Sequence, residues 1–120
     1  MTIYFKKLAR DGMREIVPRE NNMEFVWRPA KDDKEFSRRL RDKLIEEAHE
    51  FHKAETRDEQ IEEAADIMEV LLAMLKLEDI KMGEVEEARQ KIFAKKGGFD
   101  DRVVWIDTMN YYGKNKEKKR

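Results

Sequence analysis

Five carboxylates crowd the middle of the chain: Glu46-Glu47-Ala48-His49-Glu50, twelve residues, then Glu63-Ala64-Ala65-Asp66. Glu47 and Glu50, and again Glu63 and Asp66, are three residues apart. That is nearly one helical turn, so on a helix each pair points at one place. Phe36, Leu40, Leu44, Ala48 and Phe51 recur at helical spacing and define an apolar stripe. Glu47 projects inside that stripe, Glu50 on its edge and Glu46 further round. In the following segment Glu63 and Asp66 share a side with Val70. A carboxylate among core positions is costly unless it is paired, protonated or metal-bound. Four of them on adjacent antiparallel helices repel one another, and a divalent cation relieves this; an all-oxygen set suits Mg2+ or Mn2+ rather than zinc. One Glu-x-x-Glu pair is usually a solvated face, whereas two pairs on the inward faces of consecutive helices point to a metal site.

Carboxylate-bound Mg2+ most often serves phosphate substrates, which also need cations. Lys6, Lys7, Arg10, Lys95, Lys96 and Arg102 flank the helical pair and are candidates, although any one of them alone reads as surface charge. Trp27, Trp105, Tyr111 and Tyr112 could stack a base. His49 and His52 project away from the stripe or at its margin and are expected to be exposed or structural. No Ser/His/Asp constellation, glycine-rich phosphate loop or zinc spacing is present.

These groups must be positioned by helices. Asp32 or Asp33 can cap a helix running to about residue 55, and Thr56 or Asp58 can cap the next. In that second segment Ile61, Ala65, Met68, Leu72 and Leu75 form a stripe, and Ile67, Val70, Leu71 and Met74 spread apolar character round the circumference, so it is expected to be the most buried element. A loop at 77–81 precedes a third long helix with Val85, Ala88, Ile92 and Phe93 inward, ending at Lys95-Lys96-Gly97-Gly98 with cations near its negative end and a glycine for a left-handed cap. Near the start, Leu8, Met13, Ile16 and Val17 could form one side of a short helix that Pro18 would stop. Residues 3–6, 23–28 and 103–106 are β-prone, giving short peripheral strands near both ends. The expected class is all-α.

The chain has 120 residues, 40% hydrophobic and 44% charged, which fits one domain of thin helices whose remaining apolar surface a partner would cover. The expected domain is 1–108, with 109–120 a basic, flexible tail carrying five basic residues and one acidic between Lys114 and Arg120. A net charge of -1 gives no reason to expect nucleic acid. The absence of cysteine excludes disulfides and thiolate chemistry. With no membrane-length apolar run and no signal-peptide core, a cytoplasmic protein is expected.

The paired acids resemble the signature of the all-α nucleoside triphosphate pyrophosphohydrolases, the MazG-like and phosphoribosyl-ATP pyrophosphohydrolase-like superfamily. Lys7-Leu8-Ala9-Arg10-Asp11 looks like the Lys-Leu-Val-Arg-Asp opening of one MazG-like branch, and Lys95-Lys96-Gly97-Gly98-Phe99 like its Lys-Arg-Gly-Gly-Phe ending. The chain departs from that pattern at Gly12-Met13-Arg14, where Lys-Ile-Pro is usual, and in its basic tail. The resemblance implies a MazG-like helical bundle completed by oligomerisation into a homodimer or tetramer. It implies hydrolysis of a nucleotide between the α- and β-phosphates to a monophosphate and pyrophosphate, as in nucleotide-pool sanitation. By position, Glu47, Glu50, Glu63 and Asp66 would be the Mg2+ ligands, and Glu46 an accessory ligand or the orienter of the attacking water, so that Glu46 and Glu47 are the catalytic expectation. Lys7, Arg10, Lys95, Lys96 and Arg102 would contact the phosphates. The competing expectations are the same scaffold acting on phosphoribosyl-ATP, ranked lower because both flanks resemble the MazG-like branch, and a non-catalytic helical oligomerisation module.

Overall fold

The structure is a computed structural model in which residues 7–108 are described. The described residues form four helices: α1 (Met13–Asn21), α2 (Asp33–Lys53), α3 (Arg57–Leu77) and α4 (Met82–Lys96). The chain divides into two units, Met1–Val85 and Glu86–Arg120. The all-α class expected from the periodicity is what is observed. Among the described residues no strand forms: 23–28 and 103–106 are irregular, because a β-prone run becomes a strand only where a second run completes its hydrogen-bond ladder. The run at 3–6, Tyr111, Tyr112 and the tail 109–120 lie outside the described residues. Among the described residues no helix is long and apolar enough to cross a membrane.

In the first unit, α2 and α3 pack on each other. Each starts on the side chain expected to cap it. The Asp32 carboxylate accepts the Glu35 N–H at 2.8 Å, and Thr56 and Glu59 form a reciprocal capping box: the Thr56 hydroxyl accepts the Glu59 N–H, and the Glu59 carboxylate accepts the Thr56 N–H, both at 3.1 Å. Two orphan donors are thereby satisfied at the start of α3. Only residues 54–56 separate the two helices, and a connection this short returns the chain antiparallel alongside itself. Glu47 therefore faces Glu63 and Asp66 near the closed end.

Two expectations about the helices of the first unit fail. Pro18 does not stop α1, which runs through it to Asn21. Proline forfeits its own N–H bond, but its carbonyl still accepts the N–H of left-handed Asn22 at 2.9 Å, closing the helix three residues later than expected. Nor is α3 the most buried element: full burial falls on Glu35, Leu40 and Glu47 of α2, against Val70 alone in α3. Among the described residues, α2 is the one helix that packs extensively on this mostly apolar helix, and Ile61, Met68 and Leu72 remain exposed.

Before α2, the connector is anchored by Arg28, whose guanidinium donates to both Glu35 carboxylate oxygens at 2.8 and 2.7 Å, while the Lys31 N–H donates to one of them at 2.8 Å. In the second unit, α4 ends as expected: Gly97 adopts φ 77° and its N–H donates to the Phe93 carbonyl at 2.7 Å. The α4 residues Ile92 and Phe93, expected inward, are exposed.

Candidate metal centre

Glu47 lies on α2 and Glu63 and Asp66 on the first half of α3, and each offers a carboxylate oxygen within 4.8 Å of the others. Glu47 is buried as its place in the apolar stripe requires, and the other two are half-buried. One oxygen of Glu63, Oε2, is buried and has no hydrogen-bond partner. Burial, then the hydrogen bond and negative charge of Glu47 with the charges of Asp66 and Glu50, push the Glu63 carboxyl up to about 6. An orphaned buried oxygen among converging carboxylates is what a hard divalent cation satisfies. The donor set therefore fits Mg2+ or Mn2+.

Cations ring the trio. Arg10 donates to Asp66 at 2.7 Å. The Lys43 ammonium sits 2.8 Å from Glu46 and 3.5 Å from Glu47, and Lys7 lies 3.7 Å from Glu46. Burial pushes the Glu46 carboxyl up, but Lys43, with help from Lys7, outweighs it and holds Glu46 below its ordinary value. Glu46 is thus an ionised carboxylate at the border of the centre, separate from the three that converge.

Glu50, the fourth expected ligand, is exposed, pairs with Lys53 at 3.6 Å and stands outside the converging trio, although its charge reaches Glu63. His49 and His52 are exposed, as their projection implied. Lys7 and Arg10 are brought to the acids. Lys95 and Lys96 occupy the last turn of α4 and Arg102 a left-handed position at φ 55°, all in the second unit. Trp27 packs against Phe25 with ring centroids 5.9 Å apart, while Trp105 is exposed.

Lys43 escaped the sequence reading. Its spacing alone was legible: three residues before Glu46 and four before Glu47, it lies between them on the helix surface. The Arg28–Glu35 pair also escaped, because Arg28 sits in an irregular connector for which no periodicity gives a direction.

The chain matches the family described as Phosphoribosyl-ATP pyrophosphohydrolase over residues 4–92. This span includes all five motif acids, Lys7, Arg10 and Lys43. No curated protein and no solved structure matches.

Proposed function

We propose that this chain, which belongs to the phosphoribosyl-ATP pyrophosphohydrolase family, hydrolyses a nucleoside triphosphate or related nucleotide between its α- and β-phosphates, giving a monophosphate and pyrophosphate. The family is one of pyrophosphohydrolases, hydrolases acting on acid anhydrides, within the MazG-like all-α superfamily. The observation that carries the finer reading is the convergence of Glu47, Glu63 and Asp66 round the unsatisfied Glu63 oxygen.

In this reading those three carboxylates hold Mg2+ or Mn2+, and the exposed Glu50 side chain swings in as a fourth ligand. A bound divalent ion supplies charge neutralisation at the phosphates and a more acidic water. Glu46, ionised and beside the trio, orients the attacking water and takes its proton as the oxygen adds to the α-phosphorus and the bond to pyrophosphate breaks. Lys7 and Arg10 carry cations to the phosphate oxygens from the segment before α1. Residues 1–108 form the catalytic domain and 109–120 an appended basic tail. Exposed Ile45, Ile61, Met68 and Leu72 supply the apolar surface that a second copy covers in a homodimer or tetramer.

Two substrate classes compete. The opening and closing motifs favour nucleoside triphosphates in general, and the family match favours phosphoribosyl-ATP. Pyrophosphate release measured with Mg2+ on a panel containing both, for the parent, Glu47→Gln and Asp66→Asn, decides between them. The reading expects metal-dependent release by the parent and its loss in both variants. No release on any substrate, with no Mg2+ or Mn2+ binding by calorimetry, would sink it.

A further inference from the structure

We infer that Lys43 is a positioning residue of the acid centre, its ammonium holding the Glu46 carboxylate at the border of the Glu47, Glu63 and Asp66 trio. The inference rests on the pyrophosphohydrolase reading and deepens it.

Three observations carry it. The Lys43 side chain is only 18% exposed, whereas Lys53 and Lys91, which pair with glutamates on the same kind of helical spacing, are 57% and 76% exposed. A lysine side chain held this close to the helix surface places its ammonium where neighbours decide its role, and the partners Lys43 has are two adjacent motif acids, at 2.8 and 3.5 Å. The pairing also runs the wrong way to be a helix-stabilising device. Lysine precedes the glutamates by three and four residues, the weaker orientation relative to the helix dipole, whereas glutamate before lysine is the better one. Burial without that benefit is accounted for by what the ammonium does to the acids.

Glu46 and Glu47 are neighbours on one helix and diverge by about 100°, and only Glu47 joins Glu63 and Asp66. A cation between them divides them. It holds Glu46 by the short contact, in the orientation from which it can reach a water beside the trio, and leaves Glu47, at the longer contact, to face Glu63 and Asp66. Lys43 touches neither substrate nor reacting atoms in this account and acts through Glu46.

The test compares the full chain with Lys43→Met, Lys43→Arg, Glu46→Gln and the Lys43→Met/Glu46→Gln double variant, each first checked for helix content and thermal unfolding. Lys43→Met is expected to lower kcat at least tenfold with KM changed less than threefold, and Lys43→Arg to recover most of that loss. The double variant is expected to be no slower than Glu46→Gln alone, since both changes remove one function. Mn2+ binding by calorimetry is the arm that needs no turnover: removing an ammonium beside Glu47 is expected to tighten binding at least threefold in Lys43→Met. An unchanged kcat, a double variant slowed by the full product of the single effects, or Mn2+ binding that is equal or weaker overturns the inference. A parent that binds Mn2+ but turns over no substrate overturns the reaction reading, and the Lys43 placement is then judged on the calorimetry alone.

Discussion

Arg10 and Asp66 are 56 positions apart in the chain and 2.7 Å apart in space. This contact ties the segment before α1 to the middle of α3, at an acid of the candidate metal centre. Both side chains keep substantial exposure, so the pair is worth at most about 1 kcal/mol to the fold. Arg10→Ala is therefore expected to lower stability by less than about 1 kcal/mol while raising the KM for nucleotide roughly tenfold, the loss of the charge-assisted phosphate contact proposed for it. Thermal unfolding and steady-state kinetics on the same preparation check both.

Glu63→Gln should move stability and metal binding in opposite directions. In the absence of metal the substitution removes a half-buried carboxylate that has one buried, unpartnered oxygen and is repelled by its neighbours, so melting in EDTA is expected to occur at a higher temperature than for the parent. The rise in melting temperature that Mg2+ or Mn2+ gives the parent should be lost in the variant. Melting curves with EDTA and with excess Mg2+ read both effects.

Acidity gives a third expectation. The Glu63 carboxyl is raised from an ordinary 4.5 to about 6, so the folded protein holds this proton more tightly than the unfolded chain does. Its contribution to stability is present below about 4.5 and is lost as pH rises through about 6. Metal-free protein should accordingly melt higher at pH 5 than at pH 7.5. Glu63→Gln should flatten that difference, and saturating Mg2+ should abolish it in the parent.

Glu35 behaves in the opposite sense. The Arg28 hydrogen bond, then the Lys31 N–H, holds this carboxylate far below its ordinary 4.5. Its stabilisation is complete above about 4.5 and fades as pH falls below that value. Arg28→Ala, which leaves the buried Glu35 without its bidentate partner, is expected to lower the melting temperature at pH 7 by more than Arg19→Ala. The latter breaks only an exposed 3.9 Å pair with Glu15. The gap between the two variants should narrow at pH 3.

Gly97→Ala tests the end of α4. At φ 77° a Cβ costs about 1 kcal/mol through its clash with backbone. The local loss is read as reduced hydrogen-exchange protection at the amide that donates to Phe93.

Most of the helical hairpin was legible from the sequence because its signals are local. Asp32 and Thr56 cap by side-chain chemistry within three residues, and Phe36 to Phe51 repeat with the helical period. The burial of Glu47 followed from the same period, and its separation from Glu46 with it. Neighbourhoods that depend on a second element were less readable. That Arg10 would reach Asp66, or that Glu50 would stand outside the trio, is decided by packing between distant segments. Pro18 misled because its cost falls on a single hydrogen bond, which a nine-residue helix survives. Lys43 was missed for a different reason: a lysine in a segment rich in charge reads as solvated until its burial is known.

The turn at 54–56 also bears on how the centre forms during folding. Glu47 and Glu63 are separated by only sixteen positions, so bringing them together closes a short loop, an inexpensive and early event for a chain. The repulsion among the acids is then met before the rest of the chain has found its place, and a divalent cation present at that moment acts on the rate of folding as well as on its equilibrium. Refolding jumps should consequently run faster in Mg2+ than in EDTA, with Asp66→Asn insensitive to the choice.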